Sequence, residues 1–286
     1  MIPQKIALLT DSCADLNVTE ESGIFVVPLR ILCADGEYLD GVNIGGRDIY
    51  ARLRAGELPQ TSLPAAEEIG KILMKIAQAG YDGVIAVMLS SGLSGTFNLV
   101  RLIAEECGEQ LNVRVYDSGS GSLGMGMTVL QLAEDLRGGM GWEELTQHRV
   151  MQLIRGAHPF FSVDTLEYLQ KGGRIGRVTA TAGTLLQIKP LLTFAPDGQL
   201  TSVAKVRGRN QVIDRLVGLT VKACGGHRRY NLAVANGGAP EEMELVRKKL
   251  TAALPDYDHL WDGEIDGTLS VYIGDGVLGA AVQVLD

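Results

Sequence analysis

Val84-Ile85-Ala86-Val87-Met88-Leu89 runs directly into Ser90-Ser91-Gly92-Leu93-Ser94-Gly95-Thr96-Phe97. Six apolar residues in a row read as a strand buried on both faces. Residues Asn98–Cys107 follow, with Leu99, Val100, Ile103 and Cys107 spaced as one helical face. A hydroxyl- and glycine-rich reversal therefore joins a strand end to a helix start. Backbone N–H groups there lack intrahelical partners and sit at the positive end of the helix dipole. Such a place suits a carboxylate, phosphate or sulfate.

Upstream, Lys5–Thr10 reads as a first buried strand, ending in Thr10-Asp11-Ser12-Cys13-Ala14-Asp15. Polar residues at a strand's carboxyl end mark ligand sites in open α/β sheets, and equally serve as helix caps. Phe25–Leu32 is the second strand, and Tyr38–Ile44 pairs back after the turn Ala34-Asp35-Gly36-Glu37. Arg47–Arg54 is a short helix. Thr61-Ser62-Leu63-Pro64 reads as a helix start, leading into Ile69, Ile72, Leu73 and Ile76 on one face. Downstream come a strand at Val113–Tyr116 and helices at Met125–Leu136 and Trp142–Ile154. Strands alternating with helices are the pattern of a parallel, Rossmann-like sheet.

The second half differs. Phe160–Val163 is a short strand, Thr165–Gln170 a short helix and Lys171–Arg177 a basic glycine turn; Thr181–Leu186 is helical. Ile188–Phe194 and Leu200–Val206 flank the hairpin turn Ala195-Pro196-Asp197-Gly198. Helix, strand and helix follow at Arg209–Cys224, Tyr230–Ala235 and Glu241–Leu254. Ser270–Ile273 and Ala280–Leu285 close the chain around Gly274–Gly279. The reading is an α/β protein of two domains. Residues 1–157 form an N-terminal domain with the Rossmann-like sheet, and residues 158–286 a C-terminal α/β domain with a mixed sheet. The boundary lies near Arg155–Pro159.

The chain has 286 residues, 46% of them hydrophobic, enough for a sizeable core. A formal net charge of −8 argues against nucleic acid or an anionic membrane surface as partner. Cys13, Cys33, Cys107 and Cys224 are scattered and read as reduced thiols. No apolar run is long enough to span a bilayer, and the N-terminus lacks the apolar core of a signal peptide. A cytoplasmic protein without membrane insertion is the expectation.

Gly92-Leu93-Ser94-Gly95-Thr96 approaches the nucleophile elbow, but Thr96 stands where its last glycine belongs. None of His148, His158, His227 and His259 sits in a motif that marks a catalytic base. The phosphate-loop and dinucleotide motifs are missing, and Asp11, Asp15, Asp117 and Asp164 lack metal-ligand spacing. No cofactor is expected. A better fit brings Thr61 and Ser62 together with Ser90, Ser91, Ser94 and Thr96, so that hydroxyls and helix N-termini converge on one carboxylate; each serine could instead only cap its own helix. Lys171, Arg174 and Arg177, and Lys205, Arg207 and Arg209, form two basic groups, either solvated edges or a surface for phosphate or docking.

Six motifs carry a resemblance: Leu9-Thr10-Asp11-Ser12, Thr61-Ser62-Leu63-Pro64, Ser90–Phe97, Asp164–Gly176, Ile188-Lys189-Pro190-Leu191-Leu192 and Lys205-Val206-Arg207-Gly208-Arg209. In this order they resemble the DegV family of bacterial fatty-acid-binding proteins, which includes lipid-binding subunits of fatty acid kinase. The resemblance implies a long-chain fatty acid in an apolar tunnel at or near the domain interface. It implies a carboxylate held by Thr61, Ser62 and Ser94, with Ser91 and Gly92 in the same loop. It also implies an ATP-binding kinase subunit as possible partner, with Arg174 and Arg207 facing the phosphoryl group or the docking surface. In this reading the chain itself is a lipid-binding protein, not an enzyme. Two departures stand out. Tyr272 occupies the place of a histidine common in kinase-linked members, and tyrosine donates a hydrogen bond but does not become a cation. Leu63 stands where glutamine is common.

Overall fold

The computed structural model describes residues 2–107, 111–178 and 188–286. From the N-terminus the elements are β1 (Ile6–Asp11), β2 (Ile24–Val27), β3 (Arg30–Cys33), β4 (Gly36–Leu39), α1 (Gly46–Arg54), β5 (Gln60–Ser62), α2 (Ala66–Gln78), β6 (Gly83–Met88), α3 (Thr96–Glu106), β7 (Asn112–Asp117) and α4 (Leu123–Arg137). A helix over 142–156, α5, passes through a π-turn at Leu145–Arg149. Then follow β8 (Ala157–Ser162), α6 (Glu167–Lys171), β9 (Ile188–Phe194), β10 (Leu200–Arg207), α7 (Asn210–Cys224), β11 (Tyr230–Gly237), α8 (Pro240–Ala253), β12 (Leu260–Glu264), α9 (Gly267–Ile273) and β13 (Val277–Val284).

Among the described residues the strands form three sheets. The first, β2-β1-β6-β7, is parallel throughout. The second, β10-β9-β8-β13-β11-β12, is antiparallel except for the β11–β12 pair. The third, β4-β3-β5, is small and antiparallel. Parallel strands need crossovers and so bury both faces under helices. Every residue of β6 is buried accordingly. Ala7, Leu9, Val84 and Ala86 meet α2 and α3 through Ile69, Leu73 and Val100. Leu8, Ile85 and Val87 meet α4 and α5 through Val129, Leu132 and Leu153.

The position of α4 follows from its sequence. Its residues from Leu123 to Val129 are all buried, so its first two turns are covered around the whole circumference. Val129 and Leu132 face the first sheet, while Leu123 and Met127 pack with Val163, Ala233 and Ala281 of the second half. The outer face of the second sheet is covered by α7 and α8 through Val212, Leu216, Val246 and Leu250. Layers of helix, sheet, helix, sheet and helix result. Gly126 permits the closest approach: a Cβ there would lie 2.3 Å from the Ala14 carbonyl oxygen.

Two local readings need correction. Phe25–Leu32 is two strands, because Pro28 has no N–H for a ladder; β2 joins the first sheet and β3 the third. Thr61 and Ser62 start no helix. They pair with Ile31 and Arg30 in a ladder, and α2 begins at Ala66. The Glu68 carboxylate, not a hydroxyl, caps α2 by accepting from the Ala65 N–H at 3.1 Å. Ser270–Ile273 belongs to α9, whose N-cap Asp266 accepts from the Leu269 N–H. The strand β12 adds a parallel edge to the second sheet beside β11. The helix expected at Thr181–Leu186 lies outside the described residues. The first strand of the second sheet, β8, begins at Ala157.

Candidate functional site

A cavity opens among the N-terminus of α4, α9 and the second sheet. Apolar side chains dominate its wall: Leu89 and Leu93 from the first half, Leu123 from α4, Phe161 and Phe194 from the second sheet, and Leu269 from α9. Small residues, Ala233, Ala235, Gly279 and Ala281, leave the room on the sheet side. Three polar side chains of the wall are linked to one another, and Ser94 lies in the same wall. Thr61 Oγ1 and Tyr272 Oη share a hydrogen bond. The Arg174 guanidinium lies 4.9 Å from the centre of the Tyr272 ring. Arg174 Nε also donates to the Leu93 carbonyl at 3.4 Å, next to Ser94.

The chemistry of this end follows from donors. One hydroxyl of the Thr61–Tyr272 pair donates to the other, so one O–H remains free for a ligand. Ser94 Oγ shares a 2.9 Å bond with Thr96 Oγ1 and accepts from the Thr96 N–H at 3.3 Å. Among the described residues lining the cavity, Arg174 carries the only formal charge. Its Nη1 donates to the Gly172 carbonyl at 2.7 Å, which holds the side chain in place. Donors and one cation beside an apolar channel suit an amphipathic anion.

The other residues singled out from the sequence lie elsewhere. Ser62 follows Thr61 on β5, and successive strand residues point to opposite faces; Ser62 pairs with Arg30, outside the wall. Ser91 is turned to Asp117, whose carboxylate accepts from both its hydroxyl and its N–H. Gly92 packs on the β9–β10 turn, where a Cβ would come within 2.4 Å of the Gly198 carbonyl carbon. Ser90 Oγ donates to the Gly198 carbonyl at 2.7 Å, so this loop clamps one half of the chain to the other. Arg207 lies at the exposed end of β10, away from the wall. Tertiary wall residues such as Phe194, Thr268 and Ile273 carry no local signal that marks them.

The polar end of β1 has a structural task. Asp11 is fully buried and accepts from the Leu89 N–H at 2.7 Å and the Cys13 N–H at 3.0 Å. Burial nonetheless pushes its carboxyl up to about 7, against those two amides. Cys13, Asp40 and Asp266 place a sulfur and carboxylate oxygens within 4.8 Å of one another. The Asp40 carboxylate accepts from Ser12 Oγ and from the Gly267 and Thr268 N–H groups, and Asp266 caps α9. These contacts describe a capped helix N-terminus. His148, His158 and His227 line a separate surface pocket, and His259 stacks on Trp261, so Ser94 has none of them as base.

No helix among the described residues is long and apolar enough to cross a membrane. The DegV family model matches residues 5–284. A DegV domain-containing protein of Clostridium acetobutylicum is 34% identical over 281 residues, covering 98% of this chain and 99% of its own. A fatty-acid-binding DegV family protein of Thermus thermophilus superposes with a TM-score of 0.91 at 29% identity, covering 99% of this chain and 100% of the other. DegV of Bacillus subtilis, a fatty acid binding protein, gives 0.86 at 26%, covering 98% and 99%. With the family model matched from end to end and a relative above 30% identity aligned over its full length, this chain belongs to the DegV family.

Proposed function

We propose that this chain binds a long-chain fatty acid. The carboxylate lies at the Thr61, Ser94, Arg174 and Tyr272 end, and the acyl chain runs along the apolar cavity. The observation that carries this reading is a cavity with apolar walls whose polar side chains include the linked Thr61, Tyr272 and Arg174, with Ser94 in the same wall. Fatty-acid binding by the Thermus thermophilus and Bacillus subtilis relatives supports it. Each methylene removed from water contributes about 0.8 kcal/mol, so the tail supplies much of the affinity. The head-group donors fix orientation and favour a carboxylate. In this reading Ser62, Ser91 and Gly92 hold the two loops that present Thr61 and Ser94. Lipid extracted from the denatured, purified protein and identified by mass spectrometry tests it. A long-chain fatty acid near one per chain is the expected result. No extracted fatty acid, together with no uptake of added palmitate, overturns it.

A second reading adds presentation of the carboxylate to a separate ATP-binding kinase subunit. It is supported by Arg174, the charged residue lining the cavity, because a guanidinium is suited to a phosphoryl group. Incubating loaded protein, ATP and the candidate kinase should then yield acyl phosphate. Loaded protein that gives no product with any kinase of the same genome removes this reading.

A further inference from the structure

Two walls of the cavity meet behind it at one carboxylate. Asp15 follows the short 3-10 turn Ser12–Ala14 after β1 and does not line the cavity. Its Oδ2 accepts from the Ser122 hydroxyl. Its Oδ1 accepts from the Asp266 N–H at 2.8 Å. Ser122 is the N-cap of α4 and itself lines the cavity, followed by Leu123 and Gly124. Asp266 is the N-cap of α9, which contributes Thr268, Leu269, Tyr272 and Ile273 to the opposite wall.

The Ser122 backbone is unusual. It has φ 54° and ψ −153°, a conformation that suits glycine and is strained for serine. Two contacts hold it: the bond to Asp15, and donation from its N–H to the Cys13 carbonyl at 2.7 Å. Strain of this kind persists only where surrounding groups impose it, and here it sits in the wall of the cavity.

We propose that Asp15 is a positioning residue of the lipid site, one buried carboxylate that holds the strained start of α4 and the start of α9 in register across the cavity. This rests on the fatty-acid reading above. It sets the channel's width at Ser122 and the place of Tyr272, one turn beyond Thr268. The role depends on charge. An ionised carboxylate accepts on both oxygens, so it takes the Ser122 hydroxyl and the Asp266 N–H together. Once protonated, one oxygen faces a donor, and the Ser122 hydroxyl must reverse or let go. Asp266 faces Asp15 from the β12–α9 junction, Asp40 from the residue after β4 and Cys13 from its own loop, where Cys13 also feels Asp11; the Tyr50 hydroxyl feels Asp15, Asp266 and Glu264, and α4 presents the Ser122 hydroxyl. Burial pushes the Asp15 carboxyl up to about 6 against these hydrogen bonds. The retention of lipid therefore weakens on mild acidification.

The test follows release of bound cis-parinaric acid into excess phosphatidylcholine vesicles by stopped-flow fluorescence. Full-length wild type, Asp15→Asn, Ser122→Ala and the double variant are compared at pH 7.5 and 5.5. Each single variant should speed release about tenfold at pH 7.5, the scale of one lost hydrogen bond to a charged group. The double variant should be no faster than the faster single one, because both remove the same link. Wild type should release faster at pH 5.5, and Asp15→Asn should lack that step. Release of Asp15→Asn at the wild-type rate, multiplying single effects, or an acid step that survives in Asp15→Asn overturns the proposal. If Asp15→Asn does not fold, Ser122→Ala decides, and a wild-type rate for it counts against the role. A wild type that takes up no fatty acid ends the binding reading instead. A wild type that loads normally while both variants release like it ends only the role of Asp15.

Discussion

Residues at the polar end of the cavity divide by what their protons can do. Thr61→Val keeps the shape but leaves the Tyr272 hydroxyl without its partner. Ser94→Ala removes a donor beside Arg174. Each should weaken fatty-acid binding about tenfold, the scale of a hydrogen bond to a charged group, read by titration with a fluorescent fatty acid. Affinity within twofold of wild type for both would remove them from the site. Asp11 makes a separate prediction about pH. Its folded value of about 7 lies above its ordinary 3.8, so the folded state keeps a proton that the unfolded chain gives up. The stability it contributes is fully present below about 3.8 and is lost as pH rises through about 7. Asp15 and Asp266 are raised by burial and act in the same sense. Urea midpoints should therefore fall between pH 5.5 and 8 in wild type, and fall less in Asp11→Asn. Comparing the two proteins cancels His158, whose burial lowers its value and acts in the opposite sense. Equal slopes would show that Asp11 stays ionised across the range.

At the scale of elements, α4 and the strand β5 carry most of the lesson. The helix α4 is legible as a helix from Met125–Leu136, and two sheets close on its first two turns, which are covered around the whole circumference. Its glycines are tertiary in meaning. Gly126→Ala would drive a methyl against the Ala14 carbonyl, a backbone atom that cannot turn aside. Overpacking of this kind costs about 1–3 kcal/mol, and thermal unfolding should show it as a lowered midpoint. The strand β5 is the opposite case. Thr61-Ser62-Leu63-Pro64 has the local chemistry of a helix start, yet Gln60–Ser62 found ladder partners on β3. A hydroxyl side chain can cap a helix or stand on a strand, and only the neighbour decides. The consequence for the site is direct: the strand's alternation brings Thr61 to the cavity and turns Ser62 away.

For the whole molecule, the cavity exists only where the two halves meet. We propose a domain boundary at residues 157 and 158, within the first residues of β8, which opens the second sheet in chain order. The halves are nonetheless interlocked. Ser90 bonds to Gly198, Asp15 to Asp266, Tyr50 to Ser270, and α4 gives apolar side chains to both sides. Residues 1–157 produced alone would expose Leu123 and Met127, and should aggregate or bind a hydrophobic dye; co-expression with 158–286 should restore a soluble complex. A well-folded isolated first half would show that α4 belongs to one side only. Ligand adds to the same coupling. A bound fatty acid at a hundredfold excess over Kd stabilises by about 2.7 kcal/mol, so delipidated protein should gain several degrees in Tm on adding palmitate. An unchanged Tm would speak against binding to the folded state.

By itself the sequence determined the parallel first sheet, the mixed second sheet, the loop at Ser90–Phe97 and the family motifs. Each of these is written in local period, turn chemistry and motif order, which neighbours cannot change. Tertiary structure alone decided the strand at Thr61, the helix carrying Tyr272 and the Asp15 link. The family motifs pointed to Thr61, Ser94, Arg174 and Tyr272, and the tertiary structure sets these four in the wall of one cavity while leaving Ser62, Ser91, Gly92 and Arg207 outside it. The physical reason is that a hydroxyl or carboxylate has many possible partners along a chain. Which one it takes depends on what packing brings within 3 Å, and packing is settled by the apolar surfaces of α4, α9 and two sheets together.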